Sequence, residues 1–276
     1  MQLPMYQVDA FTRRTATSFS GNPAAVVPLQ RWLSDEVMQA IAAENNLSET
    51  AFFVKENDVY HIRWFTPTTE VDLCGHATLA SAWVIVSELG DERAELPFRC
   101  GIGDLSVSRD TETPDNSNQR LWLNFPQRAA ERPATPDQMA LLSRALGQSV
   151  VHAQQARDLV VELADEDAVI HCQPDFAALA ELDVFAVTIT AKARTAGYDF
   201  VSRFFAPRQG INEDPVTGSS FCTLAPYWHT KSGLRQMTAW QCSNRGGDVS
   251  LQLTDDRVHI GGHCFLFLRG TITLPG

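Results

Sequence analysis

The chain has 276 residues, enough for one large domain or two of roughly 140 residues each. Hydrophobic residues make up 44% and charged residues 20%, which argues against both a disordered chain and a membrane-embedded one. The formal net charge is −11 and no lysine or arginine run offers a stripe to track a phosphate backbone, which argues against nucleic acid as a partner.

In chain order, residues Met1 to Ala10 contain Pro4 and Asp9 and no basic segment leading into an apolar stretch. They resemble neither a signal nor a transit peptide, and the protein is expected in the cytoplasm. Ser34 through Ile41 reads as an N-capped helix. A helix then ends at Asn45-Asn46, and a strand follows that carries Glu49 on the same face as Ala51 and Phe53. A carboxyl group in such apolar surroundings would have its pKa raised into a useful range for carrying protons. Position alone also allows the plain alternative, a solvated carboxylate at the first exposed residue of a strand.

Val59 to Pro67 alternates in the strand manner and stops at a proline. Glu70 to Leu79 is an acidic loop, a turn at Gly75 and the start of a helix, and Leu79 to Val86 is too short to span a bilayer and reads as a buried helix. Asp110 to Gln119 is a polar loop, Leu121 to Phe125 a strand, Pro126 to Pro136 a linker and Asp137 to Leu146 a helix. Pro174 to Leu179 opens a further helix and Phe185 to Ile189 a strand.

Asp199 to Pro207 then repeats the earlier strand, with Arg203 on Arg63, Phe205 on Phe65 and Pro207 on Pro67, 140 residues on. Glu213 to Phe221 repeats the acidic loop and the glycine turn, and the same offset sets Asp214 on Cys74. The chain therefore reads as a duplication: residues 1–118 form one half and 119–276 the other, with the last strand, 265–276, expected to cross back to the first.

Helices opening at Gly75-His76 and Gly218-Ser219 would present unpaired N–H groups and a positive dipole end, a pair of anion sites suited to a carboxylate. The simpler alternative is a pair of ordinary helix caps. Trp64, Phe65, Tyr227 and Trp228 read as core, with a pocket for a ring as the alternative. The six cysteines form no C-x-x-C pair and are read as free thiols, with no metal set among them.

Asp9-Ala10-Phe11-Thr12, Gly21 to Val27, Asn46 to Phe52, Cys74 to Thr78, Asp214 to Ser219 and Gly261-Gly262 occur in order over nearly the whole chain. Together they resemble the signature blocks of the phenazine biosynthesis PhzF-like family, whose fold is similar to that of diaminopimelate epimerase. The resemblance implies an α+β fold of two pseudo-symmetric domains, each a curved, mostly antiparallel sheet wrapped around a central helix. It also implies an active site in the cleft between the domains, a cofactor-independent isomerase, a small acidic substrate and a homodimer.

Carried over by motif, Glu49 is the acid/base, assisted by His76 and Asp214. Gly75, Thr217, Gly218 and Ser219 bind the substrate, and Cys74 is a further candidate contributor. Two other functions compete with this one: an amino-acid epimerase using Cys74 and Asp214, and a non-catalytic binder of small acids.

Overall fold

The computed structural model of the chain describes residues 1–13, 18–110 and 119–275. The first half of the chain contributes β1 (Gln2–Ala10), β2 (Asn22–Leu29), α1 (Asp35–Asn45), β3 (Glu49–Glu56), β4 (Val59–Phe65), β5 (Glu70–Val71), α2 (Gly75–Ser87), β6 (Glu95–Cys100), β7 (Gly103–Arg109) and β8 (Leu121–Pro126). The second contributes β9 (Arg132–Pro133), α3 (Pro136–Leu146), β10 (Val150–Gln155), β11 (Leu159–Leu163), α4 (Glu166–Ile170), α5 (Phe176–Ala180), β12 (Val187–Lys192), β13 (Phe200–Ala206), β14 (Ile211–Asp214), α6 (Phe221–Ser232), β15 (Gln236–Gln241), β16 (Gly247–Leu253), β17 (Arg257–Gly262) and β18 (Cys264–Thr273). Met1–Asn124 with Gly261–Gly276 forms one compact unit and Phe125–Ile260 the other.

The two units repeat one pairing scheme. In the first, β1–β2 is antiparallel, β2–β3 parallel, β3–β4 and β4–β5 antiparallel, β4–β6 parallel and β6–β7 antiparallel. In the second, β10–β11, β11–β12, β12–β13, β13–β14, β13–β15 and β15–β16 follow the same order of orientations. Each unit is thus a mostly antiparallel sheet, and β18 adds to the first by pairing antiparallel with β1.

Each sheet holds a helix. In α2 every residue from Gly75 to Val86 is buried, as suits a helix that is apolar all round. Its interior hydroxyls are satisfied locally, Thr78 donating to the Cys74 carbonyl at 2.6 Å and Ser81 to that of Ala77 at 2.7 Å. In α6 Phe221–Ala225, Tyr227 and Trp228 are buried, although Pro226 lies within the helix. Proline has no N–H to give the carbonyl four residues back, and that carbonyl, on Cys222, instead accepts from the Arg128 N–H at 2.9 Å. The four aromatic residues read as core are buried in their respective units, at 1–8% exposure.

The elements expected from sequence form with shifted ends. Ser34 stands at the N-cap of α1 without making a side-chain cap, whereas Thr135 closes a full capping box on α3 with Gln138. The strand read from Phe185 begins only at Val187, leaving Phe185 exposed. The linker Pro126 to Pro136 contains β9, which pairs with β10. Residues 111–118 of the polar loop lie outside the described residues. Among those described, no helix is long and apolar enough to cross a membrane.

Candidate active site

The first cluster grows from the ends of two elements. Asn46 adopts the left-handed conformation, φ 49° and ψ 36°, and returns its N–H to the Ala42 carbonyl, which ends α1 and turns the chain into β3. Glu49 is the first residue of β3, in parallel register with Ala24. Cys74 is the extended N-cap of α2, so Gly75 and His76 form the helix's first turn, which holds no acidic residue of its own. The positive end of α2 is left for a carboxylate from elsewhere.

That carboxylate is Glu49. Its Oε2 lies 3.1 Å from His76 Nε2, with side-chain exposures of 12% and 5%. The contact is an ion pair rather than an aligned hydrogen bond, because neither atom has a partner of proper hydrogen-bond geometry. The opposite ring nitrogen, Nδ1, lies 3.2 Å from the Asn22 amide and 3.5 Å from Cys74 Sγ. Glu49, Cys74 and His76 each bring one ligand-type atom within 4.8 Å of the others.

Asn22 is held in place by Gly21, whose φ is +80° and whose absent Cβ would sit 2.4 Å from the Ala10 carbonyl oxygen. Only glycine fits there.

Burial opposes charging His76, but the neighbouring Cys74 sulfur and Glu49 carboxylate outweigh it and hold the imidazole pKa well above its ordinary value. Cys74 behaves in the opposite sense: burial first, then the Glu49 carboxylate, push its thiol up to about 11 despite His76. The Glu49 carboxylate, 3.1 Å from the ring, favours the charged imidazole, and the raised Cys74 pKa keeps that sulfur a thiol at neutral pH.

The second cluster lies in the other unit. Asp214 ends β14 and accepts a hydrogen bond from the Thr217 hydroxyl. Gln241, fully buried at the end of β15, accepts from the Thr217 N–H at 2.9 Å and donates to the Asp214 carbonyl at 2.9 Å. Thr217 precedes a 3-10 turn, Gly218–Ser220, that leads into α6. Ser219 Oγ accepts from Arg157 at 3.1 Å, while the same guanidinium forks onto Asp158.

The structure corrects one correspondence. Arg63 and Arg203 remain equivalent, each chelating a glutamate, Glu70 or Glu213, and each lying about 5 Å from a phenylalanine ring, Phe65 or Phe205. The glutamates, however, are 143 residues apart, because the second unit inserts the 3-10 turn Pro207–Gln209 after β13. From there the equivalents are Cys74 with Thr217 and Gly75 with Gly218, and Asp214 matches Val71. Asp214 is thus no counterpart of Cys74, and the premise of a Cys74/Asp214 base pair at equivalent positions fails.

Of the residues named from sequence, the fold gathers Glu49, Cys74, Gly75 and His76 in the first unit, and Asp214, Thr217, Gly218 and Ser219 in the second. Sequence reading missed Asn22, Gln241 and Arg157. Asn22 stood in a recognised block beside the obligatory Gly21, which is a usable signal. A single Gln on a strand and a single Arg in a loop carry none.

The arrangement of sheets and central helices recurs in solved structures that share little sequence with this chain. A hydroxyproline epimerase from Agrobacterium vitis matches in fold over 98% of this chain and 92% of its own at a TM-score of 0.64, with 9% identity. The phenazine biosynthesis-like family model, PhzC-PhzF, matches residues 8–270. An uncharacterized isomerase of Pseudomonas aeruginosa is 48% identical over 99% of this chain and 100% of its own length. The crystal structure of a PhzF-family phenazine biosynthesis protein from Enterococcus faecalis is 43% identical over 99% of this chain and all of its own, at a TM-score of 0.91. The chain belongs to the phenazine biosynthesis-like PhzC-PhzF family and is an isomerase.

Proposed function

We propose that the protein moves a proton on a small carboxylic or amino acid without a cofactor, with Glu49 as the group that takes the proton from carbon and returns it. The observation that carries this reading is the Glu49–His76 contact at 3.1 Å, buried at the start of α2, in which both facing atoms lack an aligned partner. A carboxylate beside an imidazolium at a helix N-terminus can accept a proton while the surrounding donors stabilise the enolate-like charge that develops.

His76 holds the charge of Glu49 and donates to the substrate oxygen that becomes negative, and Gly75 lets that oxygen approach the helix backbone. Asp214 assists proton handling, and Thr217, Gly218 and Ser219 bind the substrate's carboxylate and amino groups. In this reading Cys74 is a buried neutral neighbour, so chemistry by a thiolate base is disfavoured. All six cysteines are free, in keeping with a reducing cytoplasm.

The proposal includes a homodimer. Its support is an exposed apolar cluster in which Phe19 lies 6.1 Å from Phe265 and 5.2 Å from Phe267, a surface of the kind that association covers. Sedimentation at two concentrations tests it.

For the chemistry, the protein is incubated in heavy water with a panel of amino and hydroxy acids and C–H exchange is read by NMR. Wild type exchanges at least one acid, and Glu49→Gln, folded by circular dichroism, does not. Exchange retained in that variant removes Glu49 from the mechanism, and binding of an acid without exchange in the wild type turns the reading toward a binder.

A further inference from the structure

We infer that Glu49, Cys74 and His76 also form a binding site for one thiophilic divalent cation of the zinc class, whose occupancy blocks the proton shuttle. The sequence holds no metal-ligand spacing, and the fold creates one. One oxygen, one sulfur and one imidazole nitrogen converge within 4.8 Å, the mixed donor set that suits a d10 cation rather than magnesium or calcium. Two zinc bonds of about 2.0–2.1 Å at the tetrahedral angle span about 3.3 Å. Glu49 Oε2 and His76 Nε2 already stand 3.1 Å apart, with neither engaged in an aligned hydrogen bond and the imidazole almost wholly buried. Cys74 Sγ stands 3.5 Å from the other ring nitrogen, Nδ1, and turns toward the Nε2 edge to complete the set.

Charge and outer contacts agree with this placement. Binding releases the Cys74 thiol proton and the His76 Nε2 proton to solvent, and the resulting thiolate and the Glu49 carboxylate together neutralise the dication, so the loaded site carries no net charge into its buried surroundings. A histidine that binds metal through one nitrogen regularly anchors the other in a hydrogen bond, and turning over the Asn22 amide, whose nitrogen lies 3.2 Å from His76 Nδ1, presents its oxygen as the acceptor for the Nδ1–H. Three protein ligands leave the fourth position open for water or a carboxylate. With the cation in place, the Oε2 and Nε2 lone pairs are committed to metal bonds and neither group can take a proton.

The test uses the full chain, stripped with chelator and freed of it, and titrated with Co2+ alone. The expected result is one equivalent bound, with a thiolate-to-cobalt charge-transfer band in the near ultraviolet. Cys74→Ser loses the band, His76→Gln weakens binding by more than the about 10–100-fold that loss of an outer-shell partner costs, and Cys100→Ser, at the half-exposed thiol outside the cluster, changes nothing. Zinc then displaces cobalt.

Should Cys74→Ser misfold, X-ray absorption on the zinc-loaded wild type still decides, through one sulfur at about 2.3 Å beside nitrogen and oxygen at about 2.0–2.1 Å. No band up to millimolar cobalt, a band that survives Cys74→Ser, or a shell of nitrogen and oxygen only overturns the site. The optical readout needs no turnover, so it fails or succeeds independently of the isomerase reading. Where exchange activity is present, zinc abolishes it and chelator restores it.

Discussion

The starts of α2 and α6 occupy equivalent places in the two units and carry opposite chemistry. At α2 the cap is Cys74 and the next side chain His76, facing a glutamate with two polar atoms not aligned to any partner. At the turn into α6 the cap is Thr217, whose N–H and hydroxyl are both taken up by Gln241 and Asp214. One copy of the scaffold keeps titratable groups poised, and the other spends its donors on internal order. Under the proposed function the duplicated fold divides labour, with the start of α2 reactive and the turn into α6 holding the binding loop rigid.

The largest effect that would break this comparison is at Glu49. Substitution to Gln should lower the exchange rate by about 10²–10⁴-fold, the usual worth of a positioned acid/base, with an unchanged circular dichroism spectrum. If the equivalent change at Asp214 costs as much, the division of labour is wrong.

The duplicated ion pairs offer a stability test. Arg203 is only 9% exposed in its side chain, chelates Glu213 and also donates to the Cys172 carbonyl at 2.7 Å. Arg63, at 26%, meets Glu70 and Asp35, at 42% and 72%. Replacing Arg203 with Met should cost about 1–3 kcal/mol, because the Cys172 carbonyl and the Glu213 carboxylate, 20% exposed, lose their donor, and replacing Arg63 about 0–1 kcal/mol. Urea unfolding of the two variants measures the gap.

Gln241→Ala should come next. It strips the buried Thr217 N–H of its acceptor, at about 1–3 kcal/mol, and raises KM more than it lowers kcat if this copy serves binding.

His76 sharpens the electrostatic side. Its pKa in the folded chain lies above the ordinary 6.5. The native state therefore holds more protons than the unfolded one above that pH. The stabilisation is complete below about 6.5 and is lost as pH rises through the folded value. Against His76→Gln, the wild type should lose stability over that window, and a flat difference between their unfolding curves would refute a charged His76.

The smallest expected effect is Cys74→Ala. Activity should stay near wild type and alkylation of Cys74 at neutral pH should be slow, since its thiol is pushed up to about 11.

The sequence by itself determined the class of fold and the duplication, because both are local patterns repeated: alternation into Pro67 and Pro207, glycine turns, and an apolar stretch opening each central helix. It also named Glu49 and His76 through blocks of contiguous residues. Tertiary structure alone decided the rest. The three-residue turn after β13, invisible to a constant offset of 140, moved Cys74 onto Thr217 and released Asp214 from the comparison. Gln241 and Arg157 reach their partners across 24 and 62 residues, and Asn22 reaches His76 across 54. Contacts of that range leave no periodicity in a sequence. Whether His76 carries charge, and Cys74 does not, depends on what burial removes and which neighbour remains, and only the folded chain supplies both.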